Sequence, residues 1–424
     1  MRAVVIGAGL LGISSAFFLR RAGVEVIIVD RADGPGRETS FANGGLLTPS
    51  MADPWNAPGI LRKMLRWIGH EDAPVLLRPR ALASLGAWGI DFLRQSAPGR
   101  FRRNLLRNVR LANYTLDLMA DLRSEYDLDY DGVSTGSLKL LRDQGSLREA
   151  VAMAEAIEPH GVAFESLDRA QTVAREPALS PIAERIAGSV YFPSDEIGDA
   201  HKFCCEIARV LRQQGARFLF GEEMRGLRVE RGRVMEVLTD KNVLVADVYV
   251  MAAGSNSARL LRPYGLRLPV RPAKGYSITV PLGDWSPPPV IPVVDDALHA
   301  VVVPLGDRIR VAGTAELAGF DCRIRPERIE NLRGLLQQTY PEFAAKLDPA
   351  QIRPWAGLRP MSSDGVPLIG PTRLDNLYLN TGHGHLGWTL AAGSGRALAD
   401  LITHGQPQLD MTDYSPARFG RDRG

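Results

Sequence analysis

The sequence predicts an α/β protein, α+β overall, with a mixed parallel sheet and, in a separate region, an antiparallel sheet. Three observations predict this class. Residues 1–30 read as strand, glycine-rich turn, helix and strand. The near-continuous apolar run 245–252 is typical of a central parallel strand, and a glycine and a second helix start follow it. Residues 277–311 alternate between apolar and other residues, with proline and glycine turns, as antiparallel strands do.

The first unit is the most informative. Residues 3–6 predict a buried strand, residues 10–22 a helix that ends before a glycine, and residues 24–29 a second strand. This order of elements is the Rossmann-like βαβ unit that binds dinucleotides. A βαβ unit without a ligand would show the same order, and the unit does not distinguish NAD from FAD.

The turn of this unit carries the pattern GxGxxG. Gly7 permits the tight turn, Gly9 lets a pyrophosphate approach the backbone, and Gly12 lets the helix pack closely on the strand. The helix that starts at Leu10 directs free N–H groups and its positive dipole end at the phosphates. Asp30 ends the second strand, where its carboxylate can accept a hydrogen bond from a ribose 2′-OH.

Composition describes an ordinary globular chain of 424 residues, with 45% hydrophobic and 23% charged residues. The net charge of +3 is too small to indicate nucleic-acid binding. Cys204, Cys205 and Cys322 show neither a CxxC pattern nor metal-ligand spacing, so we expect no metal site and a reducing, cytoplasmic compartment. No run of 18 apolar residues predicts a membrane-spanning helix.

The remaining elements follow the same periodicities. Helices are predicted at 105–126, 146–161, 201–215, 327–340 and 389–402, and strands at 136–141, 189–192 and 377–380. Residues 217–220, 224–229 and 234–239 predict a small meander.

Residues 54–110 are rich in arginine, with apolar residues at helical spacing among the cations. The simpler interpretation is a set of surface helices that expose their arginines to water. The alternative is a patch that lies peripherally on an anionic membrane, with Trp55, Trp67 and Trp88 near the interface.

Six stretches together resemble the D-amino-acid oxidase family of FAD-dependent amine oxidoreductases. They extend over nearly the whole chain: residues 5–12, 38–45 (ETSFANGG), 274–277 (KGYS), 313–316 (GTAE), 355–361 (WAGLRPM) and 380–389 (NTGHGHLGWT). The resemblance implies an FAD-binding domain made of residues 1–50, 185–265 and 355–424. It implies that this Rossmann-like domain is interleaved with an antiparallel-sheet substrate-binding domain, made of residues 51–184 and 266–354.

The resemblance also implies noncovalent FAD, because no cysteine stands near the GLRP motif. A second glycine-rich junction at the far C-terminus suits a cofactor long enough to reach both chain ends. The residues expected to bind FAD are Gly7, Gly9, Leu10, Leu11, Gly12, Asp30, Arg31, Thr39, Ser40, Asn43, Gly44, Gly45, Gly254, Gly382, Gly384, His385, Leu386, Gly387, Trp388 and Thr389. Several of these could equally be ordinary turn residues.

The implied reaction is oxidative deamination of a D-amino acid to a 2-oxo acid and ammonia, by hydride transfer from Cα to flavin N5. A quinone-type compound would accept the electrons. Arg359 is expected to bind the substrate carboxylate with its bidentate fork, although a structural salt bridge is the alternative. Tyr276 is expected either to donate to that carboxylate or to be a core tyrosine, and His383 and Lys274 are possible neighbours that tune pKa values.

Other functions stay open at this point. Within the family they are D-proline or hydroxy-D-proline dehydrogenation and glycine/sarcosine-type oxidation. Outside it they are NAD(P)-linked hydride transfer and a flavoprotein-like subunit without turnover.

Overall fold

The computed structural model describes residues 1–71 and 73–420. The helices in this part of the chain are α1 (Leu10–Arg21), α2 (Ile60–Trp67), α3 (Pro79–Gln95), α4 (Pro98–Glu125), α5 (Gln144–Ile157), α6 (Arg169–Arg175), α7 (Ala200–Gln213), α8 (Ser257–Leu261), α9 (Pro326–Thr339), α10 (Pro341–Lys346) and α11 (Ala391–Thr403). Helix α3 is kinked at Gly86.

A six-stranded sheet contains the predicted N-terminal unit. Its spatial order is β19 (Leu368–Pro371), β20 (Leu377–Thr381), β13 (Val248–Met251), β1 (Arg2–Ile6), β2 (Glu25–Asp30) and β9 (Arg217–Phe220). All neighbours are parallel except β19 and β20. Because β1 and β13 are parallel neighbours, the turns at their carboxyl ends lie side by side.

A nine-stranded sheet forms the second layer. Eight strands follow the order β18 (Arg353–Ser362), β14 (Val270–Pro281), β17 (Arg308–Leu317), β16 (Ala300–Leu305), β15 (Val293–Asp295), β5 (Ser137–Leu141), β7 (Gly188–Phe192) and β6 (Glu165–Leu167), and β4 (Val75–Leu77) pairs with β17. The pairing is antiparallel except between β15 and β5 and between β17 and β4. The two sheet types confirm the predicted fold class.

Two smaller sheets complete the described strands. One contains β10 (Met224–Glu230), β11 (Arg233–Thr239) and β12 (Val243–Leu244), and the other pairs β3 (Leu46–Leu47) with β8 (Glu196–Ile197). The predicted meander was partly wrong, because β9 pairs with β2 and not with β10. The edge of a parallel sheet offers β9 a partner that sequence periodicity alone does not reveal.

The chain crosses between the two layers several times. Strands β7 and β18, from residues predicted for the FAD-binding domain, pair within the nine-stranded sheet. Helix α4, from residues predicted for the substrate-binding domain, packs its buried face against α11 and into the core beneath the six-stranded sheet. The domain boundaries stay a prediction.

Candidate active site

The glycine turn after β1 packs without space for side chains. Gly7 has φ +109°, and a Cβ on it would lie 2.6 Å from the carbonyl oxygen of Ala252, at the end of β13. A Cβ on Gly12 would lie 1.8 Å from the carbonyl oxygen of Gly7. Helix α1 therefore rests directly on the turn, as the motif predicted.

The N-terminus of α1 lines a cavity, and no side chain caps it at Gly9. Gly9 caps it without a side-chain hydrogen bond, and Leu10 N–H donates to Oγ of Ser40 at 3.1 Å. The Ser40 hydroxyl keeps its own proton for an acceptor such as a phosphate oxygen. Exposed N–H groups and this hydroxyl together suit an anion.

Asp30 lies at the carboxyl end of β2, beside the same turn. Its carboxylate accepts hydrogen bonds from Ala8 N–H at 2.6 Å and from Ala32 N–H at 2.8 Å. Burial raises the pKa of this carboxyl above its ordinary value, against the lowering effect of both bonds. Each oxygen retains a free lone pair that a ribose hydroxyl can use.

The segment 38–45 forms one wall of the site, but several of its side chains already form hydrogen bonds or ion pairs within the protein. Thr39 donates its hydroxyl proton to the carbonyl of Leu358 at 2.9 Å, so this hydroxyl does not donate to a phosphate in this arrangement. Asn43 accepts from Gly45 N–H at 3.0 Å in a local turn. The guanidinium of Arg31 pairs with the carboxylate of Glu38.

A cavity of about 1020 Å³ joins these elements to the C-terminal part of the chain. It is lined by all three predicted catalytic residues and by the predicted cofactor residues except Gly12 and Gly382. Gly12 lies beneath the turn, and Gly382 packs against Leu368 at the base of the loop. The cavity is at the upper end of the size range of ligand sites, as two adjoining ligands require.

The C-terminal loop borders the cavity from the other side. Gly384 has φ +57°, and residues Gly384–Leu386 form a single 3-10 turn before α11. Helix α11 begins at Ala391, two residues later than predicted. Trp388 fixes the loop by donating from Nε1 to the carbonyl of Gly198 at 3.2 Å.

Arg359 provides a positive charge in this cavity. Among the described residues no atom accepts a hydrogen bond from its buried Nη1, and no carboxylate lies within ion-pair distance. Its Cζ lies 5.4 Å from the ring centroid of Trp55. Burial lowers the pKa of Arg359 to about 10, so the guanidinium stays charged at neutral pH. A buried cation without a partner is costly, and a bound anion removes that cost.

The two histidines of the C-terminal loop are neutral. Burial lowers the pKa of His383 to about 3 and the pKa of His385 to about 4. Nε2 of His383 forms a hydrogen bond with Oγ of Ser394 at 2.9 Å. The ring of His385 stacks on Trp55 at a centroid distance of 5.4 Å. Neither histidine therefore adds a positive charge beside Arg359.

Tyr276 differs from the expectation that it donates to the substrate. Its hydroxyl donates to Glu316 at 2.6 Å, and burial raises its pKa far above the ordinary value. Glu316 also binds Lys274 Nζ at 3.1 Å and Arg78 Nε at 2.6 Å. Both Tyr276 and Lys274 are thus committed to one buried carboxylate, and a phenol has a single proton to donate.

The sequence interpretation missed the apolar end of the cavity. Met64 and Phe92 line it together with Trp55, Trp67 and Trp88. Trp88 is buried and donates from Nε1 to the carbonyl of Met361 at 3.1 Å, so its predicted place near a membrane interface is wrong. The i, i+4 spacing of Trp88 and Phe92 was the available signal for a buried helix face.

Comparison with known proteins identifies the family. The family model described as FAD dependent oxidoreductase matches residues 2–401. The chain belongs to this family. D-amino acid dehydrogenase from Granulibacter bethesdensis is 42% identical to it, over 99% of this chain and 100% of that protein. The protein of the same name from Methylobacterium nodulans is 44% identical, over 99% of both chains.

Solved structures share the fold of this FAD-dependent oxidoreductase. L-proline dehydrogenase from P. horikoshii superposes with a TM-score of 0.78 at 20% identity, covering 99% of this chain and 98% of that one. Glycine oxidase from Geobacillus kaustophilus gives 0.77 at 21% identity, covering 98% and 99%. These likenesses are evidence of the fold alone.

The cavity fits the cofactor of the family. The side-chain-free turn at Gly7 and Gly9, the open N-terminus of α1 and the carboxylate of Asp30 suit the dinucleotide part. Within the described residues, no group of three or more His, Cys, Asp or Glu side chains could hold a metal ion. No described helix is both long and apolar enough to cross a bilayer.

Proposed function

We propose that this protein catalyses the FAD-dependent oxidative deamination of D-amino acids to 2-oxo acids and ammonia. The observation that carries the proposal is the guanidinium of Arg359, in the cavity that also contains the dinucleotide turn: its Nη1 is buried, and no described residue accepts a hydrogen bond from this atom. The D-amino acid dehydrogenases at 42–44% identity support the choice of substrate.

Arg359 binds the substrate carboxylate in this proposal. Its planar fork offers two parallel N–H donors, which match the two carboxylate oxygens and fix the direction in which the rest of the substrate extends. The face of Trp55 excludes water from one side of the guanidinium, which strengthens the ion pair. The neutral rings of His383 and His385 do not compete for the anion.

The residues of the turn and of the two loops would hold FAD noncovalently. The backbone at Gly7 and Gly9 and the hydroxyl of Ser40 would bind the pyrophosphate, and Asp30 would bind the ribose. The C-terminal loop from Gly384 to Thr389 would bind the flavin part. The chemistry that bound FAD supplies is acceptance of a hydride from the substrate Cα. We assign no general base, since positioning and a neutral amine suffice for this transfer.

We further propose a quinone-type electron acceptor and peripheral association with the inner face of the cell membrane. The basic, amphipathic segment that begins at α2 supports the association. A respiratory quinone is dissolved in the lipid, so a protein that reduces it must contact the bilayer.

Anaerobic reduction of the bound flavin tests the proposed function. D-alanine and other D-amino acids are expected to bleach the visible flavin absorbance, and their L-enantiomers are expected to leave it unchanged. A protein that purifies with flavin but is bleached by no D-amino acid contradicts the proposal. A panel that includes D-proline and sarcosine, with O₂ or a quinone analogue as sole acceptor, separates it from the alternatives.

Arg359→Met tests the carboxylate site. Loss of a charged hydrogen bond costs about 1.5–3 kcal/mol, so the KM for D-alanine is expected to rise about 10- to 150-fold. Arg353→Gln is the matched control, since Arg353 is an exposed arginine of the same strand. The control is expected to keep the wild-type KM.

A further inference from the structure

Helix α2 covers the apolar end of the cavity with one of its faces. Ile60, Met64 and Trp67 follow i, i+4, i+7 spacing, and all three line the cavity. They pack against the buried cluster that contains Trp88 and Met361. One face of α2 is therefore explained by the site already described.

The opposite face of α2 is exposed. Leu61 and Leu65, one turn apart, are 51% and 64% exposed. Arg62 and Arg66 accompany them, whereas Lys63 lines the cavity on the other side. The helix contains no acidic residue, and neither arginine forms an ion pair with a described residue. An exposed apolar pair among unpaired cations is typical of helices that lie in a lipid interface.

The attachment of α2 leaves this face free. No residue of the helix is fully buried. Gly59 before it and Gly69 after it adopt left-handed conformations, with φ of +81° and +75°. Among the described residues, no atom lies within 4 Å of a Cβ built on either glycine. The C-terminal end is joined to β4, where Gly69 N–H donates to the carbonyl of Leu77 at 3.2 Å, and this contact does not involve Leu61 or Leu65.

We propose that the outer face of α2 is the surface by which the protein binds an anionic bilayer. Cations complement anionic head groups, while Leu61 and Leu65 enter the apolar boundary. Since the inner face of the same helix covers the cavity, binding there places the cavity against the lipid that dissolves a long-chain quinone. The substrate loses two electrons and two protons, and the quinone gains two of each to become a quinol. Electron transfer to a quinone rests on the proposed function.

Vesicle sedimentation of the FAD-loaded protein tests the surface without any substrate. The wild type is expected to pellet with vesicles of phosphatidylglycerol and phosphatidylcholine at low salt, and to be released at high salt. Arg62→Gln combined with Arg66→Gln is expected to weaken partitioning about 30-fold. Leu61→Ser combined with Leu65→Ser is expected to abolish it. The matched control is Val243→Ser with Val245→Ser, which alters two residues at β12 that are 58% and 57% exposed. This control should pellet like the wild type.

Quinone reduction tests this electron transfer. The leucine double variant is expected to reduce a water-soluble quinone analogue at the wild-type rate but to lose reduction of a long-chain quinone embedded in the vesicles. Unchanged pelleting of both α2 variants, or binding that requires a second protein instead of lipid, overturns the proposal. Failure of the proposed deamination is a separate result, because it removes flavin bleaching by D-amino acids and leaves sedimentation unchanged.

Discussion

The guanidinium of Arg359 lies directly against the backbone of Gly275 on the neighbouring strand. A Cβ built on Gly275 would be 2.2 Å from Nη1 and 2.3 Å from Cζ of Arg359. The antiparallel register pairs Gly275 with Gly357 and Ala273 with Arg359, so the side chain of Arg359 extends along β18 and across the bare glycine. The glycine of the KGYS motif thus determines where the carboxylate-binding group lies.

Gly275→Ala is expected to displace the guanidinium and to preserve the fold, because the atoms in the way are the end of a flexible side chain. A displacement of about 1 Å at a positioning group can cost 10²-fold, so kcat/KM for D-alanine should fall by about that factor. Thermal unfolding and steady-state kinetics measure the two effects. Gly334→Ala in α9, where a Cβ meets nothing within 4 Å, should leave kcat/KM unchanged. A large loss of stability in Gly275→Ala would contradict this account.

Binding of a simple carboxylate should depend on pH through Arg359. Burial lowers the pKa of this guanidinium to about 10, so the cation is complete at neutral pH and is lost as the pH rises through 10. We expect the Kd of an amine-free carboxylate such as propanoate to be flat from pH 7 to 9 and to rise above that range. Titration followed by the flavin spectrum measures it. A Kd that stays constant to pH 11 would show that another group binds the anion.

Tyr276→Phe separates the two interpretations of this residue. Since the hydroxyl donates to the charged Glu316 carboxylate, its loss should lower the free energy of unfolding by about 1.5–3 kcal/mol. The KM for D-alanine should change less than about twofold, because the proton does not reach the substrate. Denaturant unfolding and kinetics check both numbers. A tenfold rise of KM at unchanged stability would restore the predicted substrate contact.

Alanine substitutions at Gly12 and Gly9 should have different effects on stability and on FAD binding. In Gly12→Ala the new methyl group meets the Gly7 carbonyl oxygen at 1.8 Å, which is backbone and cannot move aside, so both apoprotein and holoprotein should be destabilised. In Gly9→Ala it meets only the Ser40 Oγ at 3.2 Å, so the apoprotein should unfold like the wild type while FAD content falls. Melting curves with and without FAD, together with flavin content, distinguish these cases. Equal melting of the two apoprotein variants would refute the contrast.

Much of the site could be read from local sequence, because its parts are backbone features. The tight turn at Gly7 and Gly12, the strand that ends in Asp30 and the loop at Gly384 each depend on residues within a few positions, and spacing reveals them. The same locality explains why many helix and strand ends were predicted to within a few residues, as with α11, although α4 begins at Pro98 and was predicted to begin at residue 105.

The hydrogen-bond partners of buried side chains could not be predicted from local sequence. Whether Tyr276 meets a substrate or Glu316 depends on strand register between β14 and β17, and Glu316 is 40 positions away. The same holds for Trp88, whose partner Met361 comes from a distant strand. Periodicity indicates which face of an element is buried, but it does not identify what the face is buried against.

By itself, the sequence determined a dinucleotide turn, two kinds of sheet and a conspicuous arginine in a GLRP motif. Only the tertiary structure decided that no described carboxylate pairs with this arginine in the cavity and that α2 covers that cavity with one face while exposing the other. The physical reason is that hydrogen-bonded turns arise from neighbouring residues, whereas the pairing of charges and the covering of apolar faces depend on segments brought together from across the chain.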